Sequence, residues 1–418
     1  MINWKRYSER WYAGYAFQGA VVLGIIPILL PLVVAKAGGA AQAGVVIALF
    51  YVGQLLAPVI GTFTDRSGLH KIVFLSGFAM LALGLALFPA TSNLPFWLLL
   101  SMLQGAGSAA SNTVSAMFIV EWRPKEEWDQ RVGWLQTFYG AGQAIGLGLA
   151  ALLQMTPELG LIFSALLMIP GFIFGRMDLP NTARSTPLET PKLDRRQHMA
   201  SRSALPQTHH YERFNADHIV LLARKAETPY GRFILSWFMI QFGTWIIYNL
   251  YPLFMKSVYS IDAGLSSVYY ALAAFIGIFA YAPSGAIGKK IGDGKVVMIG
   301  TIMTLISQAG LAVLAYVHTG INSWLAPVMF ILQPVAWSPL IVAGTAYAAQ
   351  LSEMEEGPAV GIFNATTAIS AVLSAFAAGF LAEGLGYATL PAIGAVLVLA
   401  GTVVLFPIMN RTEQPRKL

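Results

Sequence analysis

Cysteine is absent from all 418 residues. That excludes a disulfide frame, a thiolate metal site and a cysteine nucleophile. Charge is nearly as scarce, since only 11% of the chain is Asp, Glu, Lys or Arg, against about 25% in an ordinary soluble protein. Twenty-six basic and 20 acidic side chains cannot cover a soluble globule of this length. A soluble enzyme, a nucleic-acid binder and a disordered chain are all excluded by the same arithmetic. What the chain has instead is apolar surface, 56% of its residues being hydrophobic, so the solvent for most of it is lipid.

A helix that crosses a bilayer needs roughly 20 apolar residues. Twelve stretches qualify, at about 12–35, 42–61, 72–90, 96–120, 132–155, 159–176, 233–255, 265–287, 296–317, 323–350, 357–382 and 387–409. Tilt and kinks absorb the extra length of the longer ones. Helices are the expected form because lipid offers no partner to a backbone amide. The first stretch follows Lys5, Arg6 and Arg10, but it is too long for a signal-peptide core of about 7–15 residues, and cleavage is not expected.

The charges carry an orientation. The even-numbered connections and both termini hold 24 of the 26 Lys and Arg, and the odd-numbered connections hold two, Lys36 and Lys256. Without the long central loop the ratio is still 14 to two. The positive-inside rule therefore places both termini in the cytoplasm. The net charge of +6 then reads as topology, with the anionic leaflet as its only partner. The central connection, with Pro180, Pro187, Pro191 and Pro206, reads as a linker. The expected division is 1–177, a linker 178–231, and 232–418. In the linker Phe214, Ile219 and Leu222 fit one side of a short surface helix, membrane-bound or solvated. Its histidines, His198, His209, His210 and His218, lack metal-ligand spacing, and no metal or cofactor is expected.

The two halves repeat. Gly61, Asp65, Arg66, Gly68 and Lys71 follow span 2, and Gly285, Lys289, Lys290, Gly292 and Lys295 follow span 8 at an offset of 224. Gln18 and Pro27 in span 1 correspond to Gln241 and Pro252 in span 7, at offsets of 223 and 225. Several matches at nearly constant offset indicate duplication, which is frequent in transporter folds.

The stretch Gly61-Thr62-Phe63-Thr64-Asp65-Arg66-Ser67-Gly68-Leu69-His70-Lys71 resembles the loop motif of the major facilitator superfamily, and the resemblance extends over the whole chain. It implies an all-α membrane protein of twelve transmembrane helices in two pseudo-symmetric six-helix bundles, working as a single chain. It also implies a cytoplasmic latch that favours the outward-facing state. The latch residues would be Gly61, Asp65, Arg66, Gly68 and Lys71, with Arg123 and Arg131 as candidate partners of the carboxylate and Glu121 completing the cluster. A carboxylate at such a helix end can face a helix N-terminus or pair with arginine.

In this family spans 1, 4, 7 and 10 line the cavity, with spans 2, 5, 8 and 11 beside them. Helical phase tests the residues of those spans. In span 4, Ser101, Gln104, Ser108, Ser111, Asn112 and Ser115 fall within about 100° of arc, as do Gln241, Trp245, Tyr248, Asn249 and Pro252 in span 7. Gln136, Tyr139, Gly140 and Gln143 share a face of span 5, and Gln333 and Trp337 lie one turn apart in span 10. With Gln18, the amides and aromatics of these stripes are the candidate solute-binding residues. Polar stripes also serve as interhelical glue, and for each residue taken alone both roles stand.

Every lining candidate is neutral, and all acids and histidines lie in loops or near span ends. That points to a neutral, zwitterionic or largely apolar organic solute and argues against a dianion such as phosphate. Ser101-Met102-Leu103-Gln104-Gly105-Ala106-Gly107-Ser108-Ala109-Ala110 is similar to a fourth-span motif of proton-coupled members, with Ser101 where they carry arginine. Gly142 and Gly146 fit part of a fifth-span antiporter motif, but Leu147 replaces its proline. Efflux of a drug or metabolite is the first expectation. Uptake or facilitated diffusion of a sugar-like or siderophore-like solute without proton coupling is the second. A non-transporting receptor or lipid-handling protein is a third, and enzymatic activity is not expected.

Overall fold

The computed structural model describes residues 7–124, 127–179, 228–317, 322–352 and 356–410, and among these there are helices and no strands. The α-helices in chain order are α1 Trp11–Gly19, α2 Ile26–Gln54, α3 Ala57–Ser67, α4 His70–Leu87, α5 Leu94–Trp122, α6 Trp128–Leu153 and α7 Pro157–Arg176. They continue with α8 Pro229–Tyr248, α9 Tyr251–Tyr259, α10 Ala263–Ile291, α11 Asp293–Tyr316, α12 Asn322–Leu351, α13 Glu356–Leu385 and α14 Thr389–Leu405.

These helices make the twelve spans. Seven described segments are long and apolar enough to cross a membrane alone, or eight with the bent pair α8 and α9 counted as one. The first of the seven is a single stretch of 57 residues, Trp11–Ser67. It is broken at Gly39, whose φ of 77° and ψ of −175° stop the helix, and so supplies spans 1 and 2. Helices α5 and α6 have 29 and 26 residues but interleave polar residues with the apolar ones, Ser, Asn and Gln in α5 and Gln and Thr in α6. Helix α14, with 17 residues, is the short last span. Apolar side chains such as Leu99, Ile145, Phe279 and Val396 stand outward and are more than 60% exposed, as lipid-facing residues must be.

Contacts divide the chain into two compact units, Met1–Thr208 and His209–Leu418. In the first, span 1 packs on α6 and α7, α4 packs on α5 and α7, and span 2 packs on α5. In the second, α8 packs on α13 and α14, α11 packs on α12 and α14, and α10 packs on α12. The two packing schemes are the same, span for span, so the duplication written in the sequence is also a duplication of helix neighbours. The core of the second unit is aromatic: Phe233, Trp237, Tyr347 and Phe363 are all buried together, with Trp237 and Phe363 stacked at 4.4 Å. In the first, Trp11, Phe74 and Phe118 meet edge to face at 5.5–5.8 Å.

The corresponding prolines distort their spans differently. Proline supplies no N–H, so the carbonyl one turn earlier loses its partner. Before Pro27 the chain widens into a π turn over Ala20–Ile25. Before Pro252 the span breaks outright, and α8 and α9 meet at 66°. Pro31, Pro334 and Pro339 stay inside continuous helices.

Spans 1 and 5 approach through glycine. A methyl group on Gly142 would fall inside the carbonyl of Ala16, one on Gly146 inside the carbonyl of Ala20, and one on Gly24 within 2.6 Å of the Gly146 Cα. The fifth-span glycines therefore act as close-packing residues. Gly148 on the same helix has nothing within 4 Å of such a methyl group. Gly146→Val should collapse thermal stability of the detergent-purified protein, whereas Gly148→Ala should leave it unchanged or raise it by about 0.5–1 kcal/mol; equal effects would show that backbone contact does not set this interface.

Candidate functional site

The neutral residues singled out in the spans fall into two groups, one per unit. In the first unit the side chain of Gln18, fully buried, donates from Nε2 to Asn112 Oδ1 at 2.8 Å and to the Ser108 carbonyl at 3.3 Å. Tyr15 stacks on Tyr139 at 4.5 Å, and its hydroxyl lies near Ser115 and Gln136. The structure thus joins Gln18, Asn112, Gln136 and Tyr139 across spans 1, 4 and 5. Gln143 lies one turn beyond Tyr139 and is half-buried.

The serines of span 4 are mostly spent on backbone carbonyls, Ser101 on that of a neighbouring helix and Ser111 and Ser115 on those of their own. Ser101 donates to the Val46 carbonyl at 2.6 Å, Ser111 to Gly107 at 2.9 Å and Ser115 to Asn112 at 2.8 Å. Gln104 turns toward span 3, its Cγ 2.6 Å from where a Gly84 methyl would sit, and neither its Nε2 nor its Oε1 has a hydrogen-bond partner among the described residues.

In the second unit Gln333 is absorbed into packing. Its Nε2 donates to the Thr244 carbonyl at 2.8 Å, and its Oε1 accepts from Ser307 and Gln308 at 3.4 Å each. Gln308 also donates to the Gly243 carbonyl at 2.9 Å. Asn249 donates to Ser374 at 3.0 Å, at the bend between α8 and α9. Gln241 is fully buried with both amide atoms unpartnered among the described residues. Trp245, Tyr248 and Trp337 come together, Trp245 lying 5.7 Å from Tyr248 and 6.2 Å from Trp337. Two further tyrosines join them from α10: Tyr270 lies 5.6 Å from Tyr248, and Tyr281 lies near Trp337 and Ser338. Phase on spans 7 and 10 could not find them, because they belong to a neighbouring helix.

At the loop motif the glycines have plain roles. Gly68 ends α3 in the left-handed region, φ 68°, and its N–H donates to the Thr64 carbonyl at 2.9 Å. Gly61 is buried 3.3 Å, measured from an added methyl, from Thr113 of α5. Asp65 and Arg66 are exposed, and Lys71 is half-buried in the first turn of α4. The two arginines expected to face Asp65 have other strong partners. Glu9 accepts from Arg123 Nε at 2.7 Å and Nη2 at 2.8 Å, from Arg131 Nη1 at 2.6 Å and from Trp11 Nε1 at 2.9 Å. Arg131 also donates to Glu127 at 2.8 Å. Two carboxylates and two guanidiniums, bidentate at Arg123, tie the start of span 1 to the adjoining ends of spans 4 and 5. The side chain of Glu121 lies outside the described residues. Glu9 was not anticipated; its one signal is a lone acid between Arg6 and Arg10. On the opposite side Lys36 pairs with Glu158 at 3.0 Å, which balances one of the two basic residues that depart from the sidedness rule.

Glu9→Gln should leave two partly buried guanidiniums short of a charge, lowering stability by about 1–3 kcal/mol. Glu9→Asp should recover part of it. An unchanged melting temperature in Glu9→Gln would reduce the quartet to surface pairing.

A family model described as the Major Facilitator Superfamily matches residues 12–337 and 233–418. The chain belongs to the Major Facilitator Superfamily. It is 22% identical over 364 residues to the tetracycline resistance protein, class E, of Escherichia coli, covering 86% of this chain and 83% of that one. Its fold matches the crystal structure of the nucleoside transporter NupG with a TM-score of 0.71, 12% identity and coverage of 96% of both chains. It matches that of a D-xylose-proton symporter with a TM-score of 0.69, 11% identity and coverage of 97% and 98%. The protein is an integral membrane transporter of this family, and not an enzyme.

Proposed function

We propose that the chain moves a small neutral, zwitterionic or largely apolar organic solute across the cytoplasmic membrane by alternating access, and that its physiological direction is export of a drug or metabolite. One observation carries the solute class: the middles of the described spans present amides, hydroxyls and aromatic faces, with charged side chains kept to the ends. An ion such as phosphate would need arginine or lysine there. Export is supported by the fourth-span remnant and by the similarity to a resistance protein. Both termini face the cytoplasm on the charge rule, and a single chain is the working unit, with lipid and solute as its partners and no role for nucleic acid.

A second reading is facilitated diffusion or uptake of a sugar-like solute without proton coupling. It is favoured by Ser101, whose hydroxyl is spent on the Val46 carbonyl where coupled relatives carry a charge. Inside-out and right-side-out vesicles, assayed for solute movement together with internal pH, separate the two. Energised accumulation in inside-out vesicles supports export, and gradient dissipation with no proton flux supports the facilitator. Retention of solute in vesicles of ligand-binding protein would overturn both and leave a receptor.

The loop motif, in this reading, latches the cytoplasmic side. Asp65→Asn should slow transport at least several-fold while leaving solute affinity within about twofold, and normal flux would remove the latch. Gln241→Ala and Trp337→Ala should each weaken binding about tenfold, a stack or buried hydrogen bond contributing about 1 kcal/mol or more; unchanged affinity in both would take them out of the site.

A further inference from the structure

Helix α10 has two opposed sides. Val268, Leu272, Phe275 and Phe279 form an exposed apolar stripe, the face that meets lipid. Gly277 lies in the buried face, where Ser338 of α12 donates to its carbonyl at 2.8 Å. At 100° per residue, Tyr281 and Tyr270 fall about 150–170° from the centre of the lipid stripe. Tyr281 is nevertheless 40% exposed, and Ala274, Ile278 and Gly285 beside it are only half-buried. This surface is open without facing lipid.

Onto that surface the second unit turns its rings. Trp245, Tyr248 and Trp337 are half-buried, and together with Tyr270 they form a continuous wall, with Tyr281 near Trp337. Ring centroids from Tyr270 through Tyr248 and Trp245 to Trp337 are 5.6–6.2 Å apart. The wall is rigidly backed, since Tyr251 and Phe330 stack at 3.8 Å behind it and both contact Tyr270. Adjacent rings are inclined by 49–70°, which presents both faces and edges to a guest. Charged side chains on α8, α10 and α12 are confined to the helix ends among the described residues. Gln241, one turn from Trp245, has an amide donor and an amide acceptor both unpartnered among the described residues.

Resting on the transport reading above, we propose that this wall is a recognition site for neutral planar aromatic or heteroaromatic solutes, and that Tyr270 and Tyr281 determine specificity with the tryptophans. Flat rings gain most from inclined aromatic surfaces. An organic cation would be drawn to the ring faces, but it would leave water for a surface with no carboxylate to compensate it. A sugar would need several convergent hydrogen-bond groups, and here Gln333 and the Asn249 amide nitrogen are already engaged.

The test uses the full chain in nanodiscs and three probes: acridone, which is planar and neutral; N-methylacridinium, of the same shape but cationic; and xylose. Acridone should bind, and its affinity should fall about tenfold in Trp337→Leu and Tyr281→Leu, which remove a ring but keep apolar bulk. Tyr281→Phe, which keeps the ring, should stay within about threefold. Melting temperatures of the variants, matched to the parent, show that folding is not the cause. Binding of N-methylacridinium or xylose in preference to acridone, or equal loss in Tyr281→Phe and Tyr281→Leu, overturns the aromatic assignment. Proteoliposomes that still carry another solute would then leave the transport reading standing, whereas vesicles that carry none would remove that reading itself.

Discussion

Everything in this molecule is arranged around one constraint: a polar group inside lipid must find its partner within the protein. The constraint acts first on the backbone and produces helices. It then acts on side chains. Hydroxyls of Ser111, Ser267, Thr301 and Thr304 fold back onto carbonyls of their own helices. Others, such as Ser101, Ser236 and Ser338, cross to a neighbour. Amides do the same on a larger scale, with Gln308 and Gln333 joining α11 and α12 to the carbonyls of α8. Charge obeys the rule by exclusion, and gathers at the ends, where Glu9, Glu127, Arg123 and Arg131 neutralise each other.

Once most polar groups are satisfied, the exceptions become informative. Gln104 and Gln241 are buried amides without partners among the described residues. Gln241 also lies beside a set of half-buried rings, whereas Gln104 is pressed against Gly84. The two residues look alike in composition and phase, and only their surroundings tell them apart. The same distinction sorts the rest of the span 4 stripe, most of which serves packing.

The fold and its repeat were legible in the chain because they rest on long-range sums: twelve apolar runs, a charge asymmetry of 24 to two, and a constant offset between the halves. Such signals survive the loss of any one residue. The loop motif was legible for a local reason, since Gly68 is needed to close α3 with a positive φ. The site was only partly legible. Phase along single helices marks Trp245, Tyr248 and Trp337, whose rings do meet, but it contains no information about which neighbouring helix packs against them, and so it cannot point to Tyr270 and Tyr281. It also placed Gln333 with the lining, although that side chain is spent inside the bundle. Glu9, which Arg123 and Arg131 share, is invisible to phase for a similar reason: it lies 114 residues from Arg123 in sequence.

The sequence alone therefore determined the solvent, the number of crossings, the duplication and the neutrality of the spans, because each follows from the kinds of residue present and their order. Tertiary structure alone decided which polar residues are spent and which remain available, since a hydrogen bond or a ring contact depends on helices meeting at a given height and rotation. It also decided how the corresponding prolines behave, a wide turn before Pro27 and a break before Pro252. Removal of one hydrogen bond permits either outcome.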